Sequence, residues 1–292
     1  MAVRVHMSAT DTGNIPYKID FEKCKRVKIM GIINVTPDSF YTNSRHDTED
    51  AVQTAVQMEE LGADIIDIGG ESSRPGADYV SEEVEFERVI PVIRKLRPLL
   101  NSTISVDTRK SGIAKAALEA GADIINDISA LRDDPELADI ISEYRCQIVL
   151  MHMRGTPKNM QKDPKYHNVI DQIVHELTGF AESAVKRGIS EDQIILDPGI
   201  GFGKRIRDNL MIIKHLQQIK DIGFPVLMAL SRKSFIGKVQ KSLQEDRLFG
   251  TITADIISIL HGADIIRVHD VLAAKQSILM LEAIENAENY RE

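Results

Sequence analysis

A single-domain α/β fold, the closed (β/α)8 TIM barrel, is what these 292 residues predict, and three observations predict it. Short apolar runs alternate with amphipathic stretches along the chain, as in a parallel sheet buried on both faces. Eight such runs can be counted, which favours a closed barrel over the open doubly wound sheet that alternation alone would also allow. A phrase, Gly-Ala-Asp-Ile-Ile, recurs at residues 62, 121 and 262, with its glycines 59 and 141 positions apart. At about 30–35 residues per βα unit those intervals are two units and four, which sets the phrase before the second, fourth and eighth strands.

The strand candidates are Lys28–Asn34, Asp64–Gly69, Thr103–Asp107, Asp123–Asn126, Gln147–His152, Gln193–Asp197, Pro225–Leu230 and Asp264–Val268. The first is a run with glycine and isoleucine at its centre; the second, fourth and eighth open on the Ile-Ile of the repeated phrase. Each glycine of the phrase follows a stretch of helical periodicity, where a left-handed cap ends a helix without a Cβ clash. Glu49–Leu61, Glu82–Leu100 and Lys110–Ala120 show that periodicity. No linker or low-complexity tract interrupts the pattern. The expected organisation is a lead-in over residues 1–27 and one barrel domain over residues 28–288.

Composition narrows the function classes. A net charge of −8 argues against a nucleic-acid-binding face. Cys24 and Cys146 are the two cysteines and form no C-x-x-C pair, so neither a disulfide framework nor a zinc site is expected. No secretory leader or apolar run of about 18 residues is found, so a cytoplasmic protein without a membrane span is expected.

In a barrel of this kind the carboxyl ends of the strands carry the chemistry. The polar residues there are Asn34, the Gly69-Gly70-Glu71 corner, Asp107, Asn126, His152, Asp197, Ser231-Arg232-Lys233, Arg267 and His269. Any one of them could simply cap a strand. Together they would bring acceptors (Asp107, Asn126, Asp197) and cations (Lys233, Arg267, with His269 a third candidate) to one mouth, complementary to a flat heterocycle rich in N–H donors and joined to an anion. Two loops stand out: Asn34-Val-Thr-Pro-Asp-Ser-Phe40, and Gly69-Gly-Glu-Ser-Ser-Arg-Pro-Gly76, which carries a cation. Asp197-Pro-Gly-Ile-Gly-Phe-Gly-Lys204 has alternate glycines but matches neither a dinucleotide nor a P-loop fingerprint.

The segments Met30–Phe40 and Asp67–Gly76 resemble the two signature segments of the dihydropteroate synthases. The resemblance continues through Ser105–Thr108, Ile124–Asp127, Met151–Met153, Asp197–Gly203, Ser231–Ser234 and Ile266–Asp270, in order, across about residues 28 to 270. It implies a transferase of folate biosynthesis and target of sulfonamides, joining a pterin methyl diphosphate to 4-aminobenzoate by an SN1-like displacement. It further implies pterin contacts from Asp107, Asn126, Asp197 and Lys233. Asn34, Ser73, Arg74, Arg267 and His269, with Lys233, would serve the diphosphate, Asn34 would be a ligand of Mg²⁺, and Phe40, Pro75, Phe202 and Ser234 would border the aminobenzoate. A homodimer is implied as well. The chain departs from the family pattern at Tyr41-Thr-Asn-Ser44, where relatives often read Ser-Asp-Gly-Gly, at Ser73 for threonine, and at Ala229 for glycine, whose added methyl could crowd the pterin pocket. A methyltetrahydrofolate methyltransferase and a catalytically silent pterin-binding relative are the alternatives.

Overall fold

The computed structural model describes residues 27–36, 44–74, 76–241 and 247–289, with backbone alone for 44–47. The lead-in, apart from residue 27, lies outside the described residues, as do 41–43 of the altered first loop. The strands are β1 (Lys28–Asn34), β2 (Ile65–Gly69), β3 (Thr103–Asp107), β4 (Ile124–Asp127), β5 (Gln147–Met151), β6 (Ile194–Asp197), β7 (Leu227–Met228) and β8 (Ile265–Val268). Every pairing is parallel, in the order β6-β5-β4-β3-β2-β1-β8-β7. A parallel bridge between Leu196 and Val226 joins the two ends, with the Leu196 N–H on the Pro225 carbonyl at 2.9 Å. The sheet is a closed barrel.

Helices follow the first five strands singly: α1 (Ser44–Glu60), α2 (Glu82–Leu96), α3 (Ser111–Glu119), α4 (Leu137–Tyr144) and α5 (Val169–Lys186). Strand β6 is followed by α6 (Ile206–Lys214) and α7 (Leu216–Lys220), β7 by α8 (Ser234–Gln240) and α9 (Leu248–Leu260), and β8 by α10 (Val271–Glu285). No helix of the described residues is long and apolar enough to cross a membrane.

The repeated phrase has a physical job. Its glycines take φ of 100°, 107° and 102°, ending α1, α3 and α9 in the left-handed region. Its aspartates then reach sideways at the bottom of the barrel. Asp64, Asp123 and Asp264 accept the backbone N–H of Ile29, Ile104 and Val226 at 2.8, 2.9 and 2.7 Å. Each aspartate's own N–H goes to the carbonyl of that same residue. An otherwise orphaned strand-entry donor is satisfied, and the register of three strand pairs is pinned. At β6 the corresponding residue is Gln193, whose amide donates to the Cys146 carbonyl at 2.7 Å.

Inside, Met30, Ile65, Ile124, Val149, Ile195, Leu227, Ala229 and Ile265 form an apolar plug, separate from the larger core between strands and helices. Every strand but β3 supplies or directly precedes a member. The methyl of Ala229 belongs to this plug and is 6% exposed, so the departure from glycine adds to the packed layer beneath the mouth.

One buried group is uncompensated. Asp255, on the inner face of α9 with Thr251, Ser258 and Ile259, is 2% exposed, and neither carboxylate oxygen has a hydrogen-bond partner. Burial pushes its pKa well above the ordinary carboxylate value. The unfolded chain ionises near pH 4 while the folded one keeps the proton, so the group costs stability as pH rises above about 4. Asp255→Ala should raise the melting temperature and the unfolding free energy, the latter by an amount that grows between pH 4 and 7 and reaches about 1–3 kcal/mol. Thermal melts of both proteins across that range check it; a variant no more stable than wild type at pH 7 would contradict it.

Candidate active site at the barrel mouth

Strand side chains alternate, so the residue two positions beyond each plug member points inward and one step nearer the mouth. From Ile65, Ile124, Ile195 and Ile265 that step reaches Asp67, Asn126, Asp197 and Arg267. Asp107 stands in register with Gly69 on one side and Asn126 on the other. The polar layer is thus the next floor up in a barrel whose lower floor is apolar.

Arg267 organises that layer. Its Nε lies 2.6 Å from Asp67 Oδ2, and a terminal nitrogen lies 2.5 Å from the same oxygen and 3.1 Å from Asp107 Oδ2. Asn126 Nδ2 donates to Asp67 Oδ2 as well, at 3.2 Å. Two carboxylates share one guanidinium in a nearly dry site. Burial raises the pKa of Asp107, against the pull of Arg267 and with the help of Asp67. Asp67 was absent from the candidate site residues, yet it is 0% exposed and its Oδ1 has no partner. Its signal was there: a lone charge inside Ile-Ile-Asp-Ile-Gly, a strand with no exposed face, must meet a counter-charge.

Lys233 follows β7, the strand beside that of Arg267. The backbone at Arg232 is left-handed (φ 56°), held by an N–H bond to Thr251 Oγ1 at 3.0 Å and a two-pronged pair with Asp270 at 2.9 and 2.6 Å. This turn sets Ser231 and Lys233 on the rim. Lys233 Nζ donates to the Ile200 carbonyl and stands 4.7 Å above the centre of the Phe202 ring. Burial brings its pKa down to about 8, opposed by Asp197. Asp197, 3% exposed, has its pKa raised by burial and lowered by Lys233, and its Oδ1 accepts the Gly199 N–H at 2.7 Å. The alternate glycines here are a packing device. At Gly199 (φ 66°) a Cβ would stand 1.9 Å from the His152 carbonyl oxygen.

Around the rim, Asn34 ends β1 half-buried. The position a Cβ of Gly69 would take is 3.9 Å from Asn34 Oδ1 and 3.5 Å from Asp107 Cβ, so those two side chains flank Gly69 on the rim. His269 Nδ1 is 2.9 Å from Ser231 Oγ, which also accepts the His269 N–H at 3.1 Å. Burial, then Arg267, push the His269 pKa down to about 4. Ser73 faces the same small cavity as Asp107 and Thr108. Arg74 is exposed but near enough to act on His269 electrostatically. Its loop crosses the mouth, with the Gly76 N–H on the Pro157 carbonyl at 3.0 Å. Phe202 is half-buried and Ser234 opens α8 at the surface; Phe40 and Pro75 lie outside the described residues.

The second loop has a foundation that its sequence did not announce. Glu71 pairs with Arg109 through one oxygen and with Lys110 at 2.5 Å through the other, and Lys110 also meets the fully buried Glu85. The Tyr79 ring covers both cations, at 4.8 and 4.4 Å. Among the described residues no group of three or more His, Cys, Asp or Glu is placed to hold a metal.

The Arg267 network makes a stability prediction. Asp67→Ala would leave a buried guanidinium short of a partner and should cost about 3 kcal/mol or more, while Asp67→Ala with Arg267→Met should recover part of that loss. Denaturant unfolding of the two proteins tests it; equal stability of the single variant and wild type would refute it.

With this geometry in hand, comparisons place the chain among known proteins. Residues 30–269 match the family described as "Pterin binding enzyme". The dihydropteroate synthase of Bacillus subtilis (strain 168) is 43% identical over 263 residues, covering 90% of each chain. That of Synechocystis sp. is 42% identical over 266 residues, covering 90% of this chain and 92% of the relative. The solved structure of Xanthomonas albilineans dihydropteroate synthase with 4-aminobenzoic acid has a TM-score of 0.84 at 39% identity, covering 90% of this chain and 94% of that one. By sequence over nine-tenths of its length and by fold, the chain belongs to the dihydropteroate synthase family of pterin-binding enzymes.

Proposed function

We propose that this protein condenses a (7,8-dihydropterin-6-yl)methyl diphosphate with 4-aminobenzoate, giving 7,8-dihydropteroate and diphosphate. The observation that carries the reading is the shared cavity: Asp67, Asp107, Asn126 and Asp197 lie at one barrel mouth with Arg267 and Lys233. A 2-amino-4-oxopyrimidine edge carries adjacent N–H donors, which Asp197, Asp107 and Asn126 would accept; the unpartnered Asp67 Oδ1 supplies one further acceptor. Lys233 would give up its contact with the Ile200 carbonyl for the pterin oxygen and ring nitrogen. Such charge-assisted bonds are each worth about 1.5–3 kcal/mol and discriminate against rings lacking the matching groups.

In an SN1-like course the methylene C–O bond breaks first and its electron pair leaves on the diphosphate. The pterin-stabilised cation is then captured by the arylamine nitrogen, which sheds a proton to solvent or to diphosphate. Negative charge grows on the leaving oxygens, so groups already fixed near the mouth favour departure without reorganising. Arg267 and the Ser231-oriented His269 are those groups, with the exposed Arg74 a further cation beside them, and an arriving diphosphate would raise the His269 pKa toward the protonated form. The Asn34 amide oxygen fits Mg²⁺, which commonly takes one or two protein ligands and fills its shell with water and phosphate oxygens. Bound there, the ion would neutralise charge on the leaving group. The second loop, crossing from Arg74 to Pro157, supports exclusion of water from the cation. Phe202 and Ser234, with Phe40 and Pro75, would border 4-aminobenzoate, the compound held in the Xanthomonas albilineans structure.

A homodimer and a cytoplasmic setting belong to the same proposal. The dimer is supported by the apolar outer face of α9 and α10, where Phe249, Leu272, Leu279, Met280 and Ile284 are exposed.

Product formation from the two substrates, with and without Mg²⁺, tests the activity. Dihydropteroate should form and require Mg²⁺; tight pterin binding with no product would indicate the silent relative, and transfer of a methyl group from methyltetrahydrofolate the other alternative. Arg267→Ala should lower turnover by about 10²-fold or more, and unchanged kinetics in a folded variant would remove Arg267 from the anion site. Affinity for the pterin should fall as pH rises through about 8, where Lys233 loses its proton, and Lys233→Met should bind weakly at every pH. Calorimetric titrations from pH 6.5 to about 9 read this directly.

A further inference from the structure

Behind the β6 loop lies a buried amine that the proposed chemistry leaves unused. Lys204 is 3% exposed and forms no ion pair with any described carboxylate within 4.0 Å. Its Nζ lies 2.9 Å from His152 Nδ1, 3.1 Å from the Phe202 carbonyl and 3.3 Å from the His152 carbonyl. Three ammonium hydrogens thus meet three neutral acceptors. His152 is itself 0% exposed, and its Nε2 stands 3.2 Å from Glu176 Oε2 on α5, poorly aligned for a hydrogen bond.

The placement is costly, because burying an ammonium group without a counter-ion is unfavourable. Burial lowers the Lys204 pKa to about 7, opposed first by Asp197, and lowers that of His152 to about 4, so the imidazole offers Nδ1 as an acceptor. A methionine or leucine would fill the space more cheaply. What the amine touches shows what it does. The loop it clips, residues 198–203, carries the Gly199 N–H on Asp197, the Ile200 carbonyl on Lys233 and the ring beneath Lys233. The same His152 carbonyl packs so closely on that loop that Gly199 has no room for a Cβ.

We infer that Lys204 is a positioning residue for the pterin pocket: by bonding the His152 and Phe202 carbonyls and His152 Nδ1, it holds the β6 loop in the shape that aims Asp197 and Lys233. The inference rests on the reading of Asp197 and Lys233 as the pterin's partners. It assigns Lys204 no contact with substrate and no proton transfer. Its effect falls mainly on the pterin, which Asp197 and Lys233 would hold, and less on 4-aminobenzoate, which would meet the same loop only through Phe202.

Steady-state kinetics of the full chain test it. Lys204→Met should raise the KM for the pterin diphosphate about tenfold, and that for 4-aminobenzoate, whose pocket would share Phe202 with this loop, by about threefold or less. His152→Asn, which keeps an acceptor near Nδ1, should lie closer to wild type than His152→Leu; this pair carries the test should Lys204→Met not fold. A lysine important only for stability would lower the melting temperature and the active fraction, cutting kcat with both KM values unchanged, and that result overturns the inference. So does a KM for 4-aminobenzoate that rises as much as that for the pterin diphosphate, or more. Absence of product with the wild-type enzyme would count instead against the proposed function, and calorimetric affinity for the pterin diphosphate would then decide the Lys204 comparison.

Discussion

The buried ion pair between Asp67 and Arg267 is the constraint on which the mouth of this barrel depends. The two residues are 200 positions apart and sit on strands that do not pair, with β1 between them. Each charge is tolerable in the interior only because the other is present. Arg267 then has donors left for Asp107, and Asp67 has acceptor capacity left for Asn126. Two carboxylates against one guanidinium leave the layer rich in acceptors; burial drives the Asp107 pKa upward, and the charge of Asp67 adds to the rise. A ligand edge bearing N–H donors relieves that imbalance. The floor of the cavity is in this sense prepared for a donor-rich ring before one arrives.

The floor and the rim are built differently. Below, an apolar plug and backbone register leave little freedom; above, loops are tied down by a few specific groups. The second loop rests on Glu71, Arg109 and Lys110 under the Tyr79 ring, and the β6 loop rests on Lys204. A rigid floor that reads the ring and loops that finish the site around the departing anion suit a reaction whose intermediate must be kept from water.

Much of the architecture was legible because periodicity and repetition are local signals. The Gly-Ala-Asp-Ile-Ile phrase placed three helix ends and three strands, and those strands begin with the Ile-Ile pair as expected. The bottom-edge hydrogen bonds of its aspartates were not legible, since the phrase does not say which neighbouring backbone they meet. Strand β7 is shorter than the Pro225–Leu230 run: Pro225 has no N–H to give, the Val226 N–H goes to the Asp264 side chain and not to a neighbouring strand, and the chain leaves the sheet after Met228. Helix α1 starts at Ser44, ahead of the Glu49 start that apolar spacing suggested, because its first turn is polar and carries no periodic stripe. At the mouth, strand-end residues such as Asn126, Asp197 and Lys233 could be picked by position. Asp67 could not be picked that way, because it lies mid-strand. Lys204 was passed over because its loop was weighed against nucleotide fingerprints, whereas its glycines serve close packing against His152.

A crystal structure of the protein with pterin diphosphate, Mg²⁺ and 4-aminobenzoate would test the central claim most directly. The account predicts the aminopyrimidine edge against Asp107, Asn126 and Asp197, with Arg267 still bound to Asp67 and facing the anion side. A pterin lodged elsewhere on the molecule, with that acidic layer closed and unengaged, would contradict it.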